Sequence, residues 1–343
     1  MRTAVVEEFG KISIKDIPKP SPGHEEALIK ISTAGVCHSD LHMVFGDWGK
    51  APTPFPLGHE GIGTVEELGP GAEAFIQKGD RVIFGLGGNA GAYWCGTCEY
   101  CLAGKPMLCP EKKFLFGVFS EYVSVWVKAL VKLPDEVDDK EVPLACAGLT
   151  AYSAVKKLVQ LEISPGKLVA IIGAAGGLGH YAIQIAKAFG YKVIGVDIGP
   201  KKLEFVKKIG ADYAIDASEA LKFVKKEFGG AYASLVFSSK MASFELGLKL
   251  LKGGGVLVPV GLPAFSEGKM TVSLQSLILK GLQIVSSLVG NVEEMRELVQ
   301  LASEGKVKTH IGRVANLSEI NQVIEELAQG KFVGRAIIDN FMK

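Results

Sequence analysis

The chain has 343 residues, 48% of them hydrophobic, and its 38 basic and 37 acidic side chains leave a formal charge of +1. That length exceeds one comfortable hydrophobic core and predicts two domains. Near-neutrality excludes a general attraction to nucleic acid or acidic lipid, so small molecules and further copies of the chain are the expected partners. No apolar run reaches the length of a membrane span, and the start, M-R-T-A-V-V-E-E-F-G, turns acidic where a signal peptide stays apolar. A cytoplasmic location is expected. Six cysteines, four of them bunched, suit metal binding in a reducing compartment better than a disulfide framework.

Residues 1 to about 147 read as short apolar-alternating runs between glycines and prolines, 27–31 and 81–84 among them, which is the pattern of a β-rich domain. Residues 18–23, P-K-P-S-P-G, are predicted as a loop, since proline fixes the backbone and gives no N–H to a ladder. Residues 35–42 then read G-V-C-H-S-D-L-H and pack a thiol, two imidazoles, a hydroxyl and a carboxylate into eight positions. Thiolate and imidazole are the side chains zinc prefers, but Cys37 holds no metal alone. His59, in G-H-E, and Cys146, in A-C-A-G, are its candidate partners. Two thiolates and one imidazole leave a fourth position open for water or substrate. The competing reading of Cys37 is a buried small hydrophobe. Residues 55–65, F-P-L-G-H-E-G-I-G-T-V, flank His59 and Glu60 with glycines that let a backbone pass close to a metal or cofactor. Glu60 is open between a zinc ligand, a carboxylate supporting one, and an ordinary surface glutamate.

Cys95, Cys98, Cys101 and Cys109 follow at spacings of two, two and seven intervening residues. Four thiolates close a tetrahedral zinc shell and leave no open position, which marks a structural site. Ferredoxin-like spacing is opposed by the late Cys109-Pro110 pair, and a nucleic-acid ribbon by the lack of basic and aromatic neighbours beyond Lys112-Lys113.

Around residue 148 the texture changes to alternating strands and helices, the signature of a parallel sheet with crossover helices. Strands are predicted at 168–172, 192–196, 213–215, 233–237, 255–260 and 283–286, with amphipathic helices at 180–189, 201–209, 219–228 and 242–251. This is a doubly wound dinucleotide domain. Its first strand runs into G-A-A-G-G-L-G, Gly173 to Gly179, where glycines allow a tight turn and close approach of backbone to a pyrophosphate. The loop departs from G-x-G-x-x-G in having Ala174 at the first motif glycine. Asp197 ends the second strand at the spacing of a ribose-binding acid, which favours NAD over NADP; the alternative is a helix N-cap or loop aspartate. Lys202 belongs to a solvated helix face within reach of the same ribose. Further on, N-V-E-E at 291–294 predicts a capped helix to about residue 304, a second helix runs from 318 to about 329, and V-G-R carries Arg335 into a last strand. An arginine there is open between phosphate binding and a surface ion pair.

In this order the motifs A-G-V-C-H-S-D-L-H, G-D-W, G-H-E-G, C-E-Y-C, C-A-G-L-T-A-Y, G-A-A-G-G-L-G and V-G-R make the chain resemble the zinc-dependent medium-chain alcohol dehydrogenases, the yeast and bacterial ethanol-oxidising type above all. The resemblance covers nearly the whole chain. It implies a Rossmann cofactor domain, residues 148–286, inserted in a GroES-like catalytic domain, residues 1–147 plus 287–343. It implies two zincs per chain, catalytic at Cys37, His59 and Cys146 and structural at the four bunched cysteines, with NAD as cofactor. Asp40 matches the carboxylate that orients the histidine ligand, Glu60 stands with the catalytic set, Ser39 matches the hydroxyl that takes the alcohol proton, and His42 the end of the relay. His38 and Arg335 match pyrophosphate contacts, and Thr150 and Leu178 positions against the nicotinamide. Gly173, Gly176, Gly177, Gly179, Asp197, Lys202 and Val260 complete the implied cofactor contacts. The implied reaction is reversible hydride transfer from a primary or secondary alcohol to NAD, giving aldehyde or ketone, in a homotetramer or homodimer. Residues 278–289 are an apolar stretch expected to add an edge strand to a partner's sheet. One segment departs from the pattern: F-L-F-G-V-F-S-E-Y, residues 114–122, stands where many relatives read D-G-G-F-A-E-Y. Trp48 and Trp94 are open between pocket wall and plain core. Cys146 opposes the polyol- and threonine-type enzymes whose third ligand is glutamate; a non-catalytic, zinc-stabilised NAD-binding protein is the rival from another class.

Overall fold

A computed structural model describes residues 1–49, 51–85 and 93–341. The chain divides into two compact units, Met1–Leu149 with Val289–Gly305 and Thr309–Lys343, and Thr150–Leu288 with Lys306–Lys308. Among the described residues no helix is long and apolar enough to cross a membrane.

The first unit is built on Glu26–Val36, an eleven-residue strand whose apolar positions are almost all buried. It pairs antiparallel with Glu60–Leu68, with Tyr122–Trp126 and with Arg335–Asn340. Beyond these lie Arg81–Gly85 and Val131–Lys132 on one side and Ile311–Asn316 on the other. Register decides what meets at the strand's end. Gly35 lies opposite Glu60 and also opposite Ile337, while Val36 lies opposite Ala336. The next residue, Cys37, therefore leaves the sheet where three strands converge. A small sheet of Arg2–Glu8, Lys11–Asp16 and Phe55–Pro56 packs on the same core, which includes Val6, Ile29, Leu57, Phe84, Phe119 and Ile338.

The second unit carries a parallel sheet. Its order among the described residues is Tyr213–Asp216, Lys192–Asp197, Leu168–Ile172, Ala231–Val236, Leu251–Pro259 and Gln283–Ile284. Every residue of Leu168–Ile172 is buried, as expected for a central strand covered on both faces. The helices Gly179–Ala188, Pro200–Lys208, Ala217–Phe228 and Met241–Leu250 fall on the predicted amphipathic segments within two residues. The order reverses beside Leu168–Ile172, and the loop that follows this strand opens at that switch point, where such sheets bind ligands.

Residues 278–289 do not form one strand. Ser273 accepts the Ser276 amide and starts a helix, Leu274–Lys280, which Gly281 ends in the left-handed conformation. Only Gln283–Ile284 is extended, as an exposed edge. A serine cap and a C-terminal glycine override an apolar run that reads equally well as a strand.

Candidate active site

Cys37, His59, Glu60 and Cys146 come from three separate parts of the first unit, and all four are buried with their ligand atoms within 4.8 Å of one another. Asp40 arranges two of them. One of its oxygens accepts the Cys37 amide at 2.8 Å and the other faces His59 Nδ1 at 2.9 Å. An ionised carboxylate can only accept, so His59 Nδ1 donates and Nε2 is the nitrogen left to face a metal; burial lowers the ring's pKa, but Asp40 and Cys37 raise it well above its ordinary value, so metal binding there would displace a proton. That Nε2 is buried with no hydrogen-bond partner. An orphaned imidazole nitrogen beside two thiols is costly unless an electrophile satisfies it, and the donor set suits zinc. The Cys146 thiol, together with Arg335 and His59, holds the Cys37 thiol well below its ordinary value, ready to ligate, while the Cys37 thiolate and burial push Cys146 well above.

Local sequence makes this possible. Gly58 has φ of +92°, and a Cβ there would collide with the Phe119 amide, so only glycine brings the chain into His59 at this angle. Val118 and Phe119 donate their amides to the carbonyls of Gly58 and Leu57. The divergent segment 114–122 thus buttresses the histidine ligand from beneath. Cys146 follows directly on the 3-10 helix Asp139–Ala145.

Glu60 is not a surface residue. It is fully buried and meets the Arg335 guanidinium through both oxygens, at 2.6 and 2.5 Å. Burial pushes its carboxyl up to about 8 against the pull of Arg335. Arg335 is likewise buried, 4% exposed, so the surface ion pair open at the sequence level is replaced by an internal one beside the cluster of Cys37, His59 and Cys146.

Cys95, Cys98, Cys101 and Cys109 form a second cluster with sulfurs within 4.8 Å. Amides of Cys98 and Cys95 donate to the sulfurs of Cys95 and Cys109 at 3.3 and 3.5 Å. Backbone N–H groups of Thr97 and Cys98 lower the Cys95 thiol to about 6, the form that binds a cation. Trp94 stands edge-on to Trp126 at 4.7 Å and packs against the core, which makes it a structural side chain.

In the second unit, Gly179 begins a helix so close to the preceding turn that a Cβ would strike the Gly173 carbonyl. Gly176 is exposed and Gly177 half-buried on the loop, and Leu178 is the helix N-cap. Asp197 reaches back to this loop, accepting the Ala175 amide at 2.8 Å and the Ile198 amide at 2.9 Å. It is not an N-cap: the next helix is preceded by Gly199. Lys202, half-exposed, places Nζ 3.6 Å from the Asp197 carboxylate. Thr150 is buried, and Val260 follows the strand Leu251–Pro259 with its amide on the Val236 carbonyl.

Residues 23–135 match the family model of the alcohol dehydrogenase GroES-like domain, and residues 177–304 that of zinc-binding dehydrogenase. An alcohol dehydrogenase of Geobacillus stearothermophilus is 38% identical over 98% of this chain and 99% of its own. The chain belongs to the zinc-type medium-chain alcohol dehydrogenase family. Among solved structures, the alcohol dehydrogenase of the hyperthermophilic archaeon Aeropyrum pernix matches with a TM-score of 0.89 at 35% identity, covering 99% of this chain and 100% of that one. A structure described as an NAD-dependent alcohol dehydrogenase matches at 0.89 and 28%, with the same coverage.

In this family member Ser39 lies with Oγ 3.8 Å from the Cys37 sulfur. His38 is exposed, its ring 6.1 Å from that of His42. His42 is packed by Trp48, ring centroids 4.6 Å apart, and its Nδ1 is 2.7 Å from Asp47. Asp47 is the contact that the sequence reading missed. Its signal was present in G-D-W, five residues past His42 and just after a helix-ending glycine.

Proposed function

We propose that this chain is a zinc-dependent alcohol dehydrogenase that moves a hydride reversibly between a primary or secondary alcohol and NAD. The observation that carries the reading is the buried, unpartnered His59 Nε2 beside two thiols, with Asp40 holding both ends of the ligand set. Cys37, His59 and Cys146 would hold one zinc and the four bunched cysteines a second, closed one. When bound, zinc supplies a Lewis acid that favours loss of the alcohol proton, and NAD supplies the hydride acceptor. The protein's own part is proton traffic and orientation. Ser39 Oγ, beside the Cys37 sulfur, would accept the alcohol proton while giving its own hydroxyl hydrogen onward, and His42 would take up a proton at one ring nitrogen and release one to water. The amides of Gly173, Ala174, Ala175 and Gly176 are engaged in shaping the loop, so the start of the helix Gly179–Ala188, at Gly177–Gly179, is where a pyrophosphate would be received. Asp197, anchored to that loop, accepts from ribose hydroxyls and repels a 2′-phosphate. The solved NAD-dependent relative supports this choice of cofactor.

A homo-oligomer is part of the proposal. Leu274, Ile278 and Leu279, on the helix just before the edge Gln283–Ile284, are each more than 70% exposed. Such a cluster next to unpaired strand backbone suits a self-complementary contact. The deciding experiment is NAD reduction over a panel of alcohols with metal analysis of the same preparation. No turnover with any alcohol, despite two bound zincs and bound NAD, would select the non-catalytic rival.

A further inference from the structure

We infer that Asp47 is the positioning residue for His42: its carboxylate fixes which imidazole nitrogen is free to take up a proton. The inference rests on the place of His42 in the proton path proposed above and adds a residue that path does not contain. The chain builds the pair locally. Helix His38–Phe45 ends at Gly46 with φ of 71°, and the turn returns the Asp47 amide to the His42 carbonyl at 3.0 Å. This brings the Asp47 carboxylate, five residues on, to 2.7 Å from His42 Nδ1. The Trp48 ring lies over the imidazole at 4.6 Å and 35°. His42's side chain is left 11% exposed and that of Asp47 33%.

A free imidazole exchanges its two tautomers. Here the partner is a carboxylate, which when ionised has only acceptors, so the short contact commits His42 to Nδ1–H and leaves the Nε2 lone pair as its base. The indole and the hydrogen bond together hold the ring's orientation. A proton arriving at Nε2 makes an imidazolium that still donates from Nδ1 to the Asp47 carboxylate, so the ring keeps its orientation through the transfer. Release of the same Nε2 proton to water restores the neutral ring, with Nδ1–H kept on Asp47 throughout. One proton enters and one leaves. The competing role for Asp47 is closure of the turn, which its backbone amide performs whatever the side chain.

The test uses the full-length, zinc-loaded enzyme, the best alcohol of the panel and NAD, with Asp47→Asn, Asp47→Ala, His42→Gln and the His42→Gln/Asp47→Ala double variant. Thermal melting controls for folding, and 15N NMR of labelled histidine reads the tautomer, the His42 signal being assigned by its loss in His42→Gln. Asp47→Ala is expected to lower kcat about tenfold, close to His42→Gln, with KM for the alcohol little changed and a mixed tautomer. Asp47→Asn, which keeps an acceptor oxygen without the charge, falls between Asp47→Ala and wild type. The double variant is expected to be no slower than His42→Gln. Wild-type kcat in Asp47→Ala while His42→Gln is impaired overturns the inference. So do losses that multiply in the double variant, or an unchanged Nδ1–H signal in Asp47→Ala. Wild-type kcat in His42→Gln removes the proton-path assignment itself, a distinct result.

Discussion

Asp40 holds the amide of one ligand with one oxygen and the ring of another with the other, so a single atom change separates fold from metal affinity. Asp40→Asn keeps the shape but gives one of these contacts an NH₂ where an acceptor is needed. Catalytic zinc should be released roughly 10- to 100-fold more readily in a chelator competition, with the second zinc retained. Ser39→Ala removes the first proton acceptor, and kcat should fall at least about 100-fold with zinc and NAD still bound; near-normal turnover would displace Ser39 from the path. At the cofactor, Asp197→Gly removes the acid beside the glycine loop and should narrow the preference for NAD over NADP in kcat/KM. A wild type that uses NADP as well as NAD would contradict the assignment. The grouping of Cys37, His59 and Cys146 was legible because its chemistry is rare. Two thiols and an imidazole in glycine-rich surroundings have few other uses, whereas Asp47 and the buried state of Glu60 depend on a turn and a strand register that no spacing displays.

Among the elements, the parallel sheet was the easiest to read, since its buried strands and amphipathic helices alternate without interruption. The helix Leu274–Lys280 was the hardest, because its apolar run has no period and only Ser273 and Gly281 mark its ends. Segment 114–122 read as a divergence of unknown consequence; its part in bracing Leu57–Gly58 is a backbone contact, invisible to side-chain pattern. Within the second unit, Asp212 ties a helix to a strand: it takes both contacts from Lys187 at 2.9 and 2.8 Å and the Val193 amide at 2.7 Å. Burial opposes its ionisation, but these partners outweigh it and lower its pKa. A depressed carboxyl contributes stability above the unfolded value of about 3.9, lost as pH falls through the lower folded value. Asp212→Asn should therefore cost about 1–2 kcal/mol at pH 7, and the gap from wild type should close below about pH 4 in denaturant titrations. A gap independent of pH would show that the contact is not acting through charge.

At the scale of the molecule, the proposed function gives the two cysteine-bearing clusters different parts. Four thiolates within 4.8 Å of one another would fill a tetrahedral shell, so a metal bound there would tie the surrounding loop together and leave no position for substrate. Cys98→Ser should lower Tm by several degrees and reduce zinc to about one per chain, while Cys37→Ser should abolish turnover with a smaller change in Tm. Equal losses of Tm would merge the two roles.

Glu60 and Arg335 are 275 positions apart, and the ion pair between them bears on the order of manufacture. During synthesis the sheet of the second unit, all within Thr150–Leu288, can close before residue 335 is made, since domains fold as units in the order they emerge. The first unit cannot. Until its last strand arrives, the sheet is open beside Gly35, and Glu60 faces a gap instead of a guanidinium. Closing the centre therefore waits on Arg335–Asn340, and nascent chains truncated before residue 335 should carry every cysteine and histidine of the site yet bind added zinc there more weakly than the whole chain.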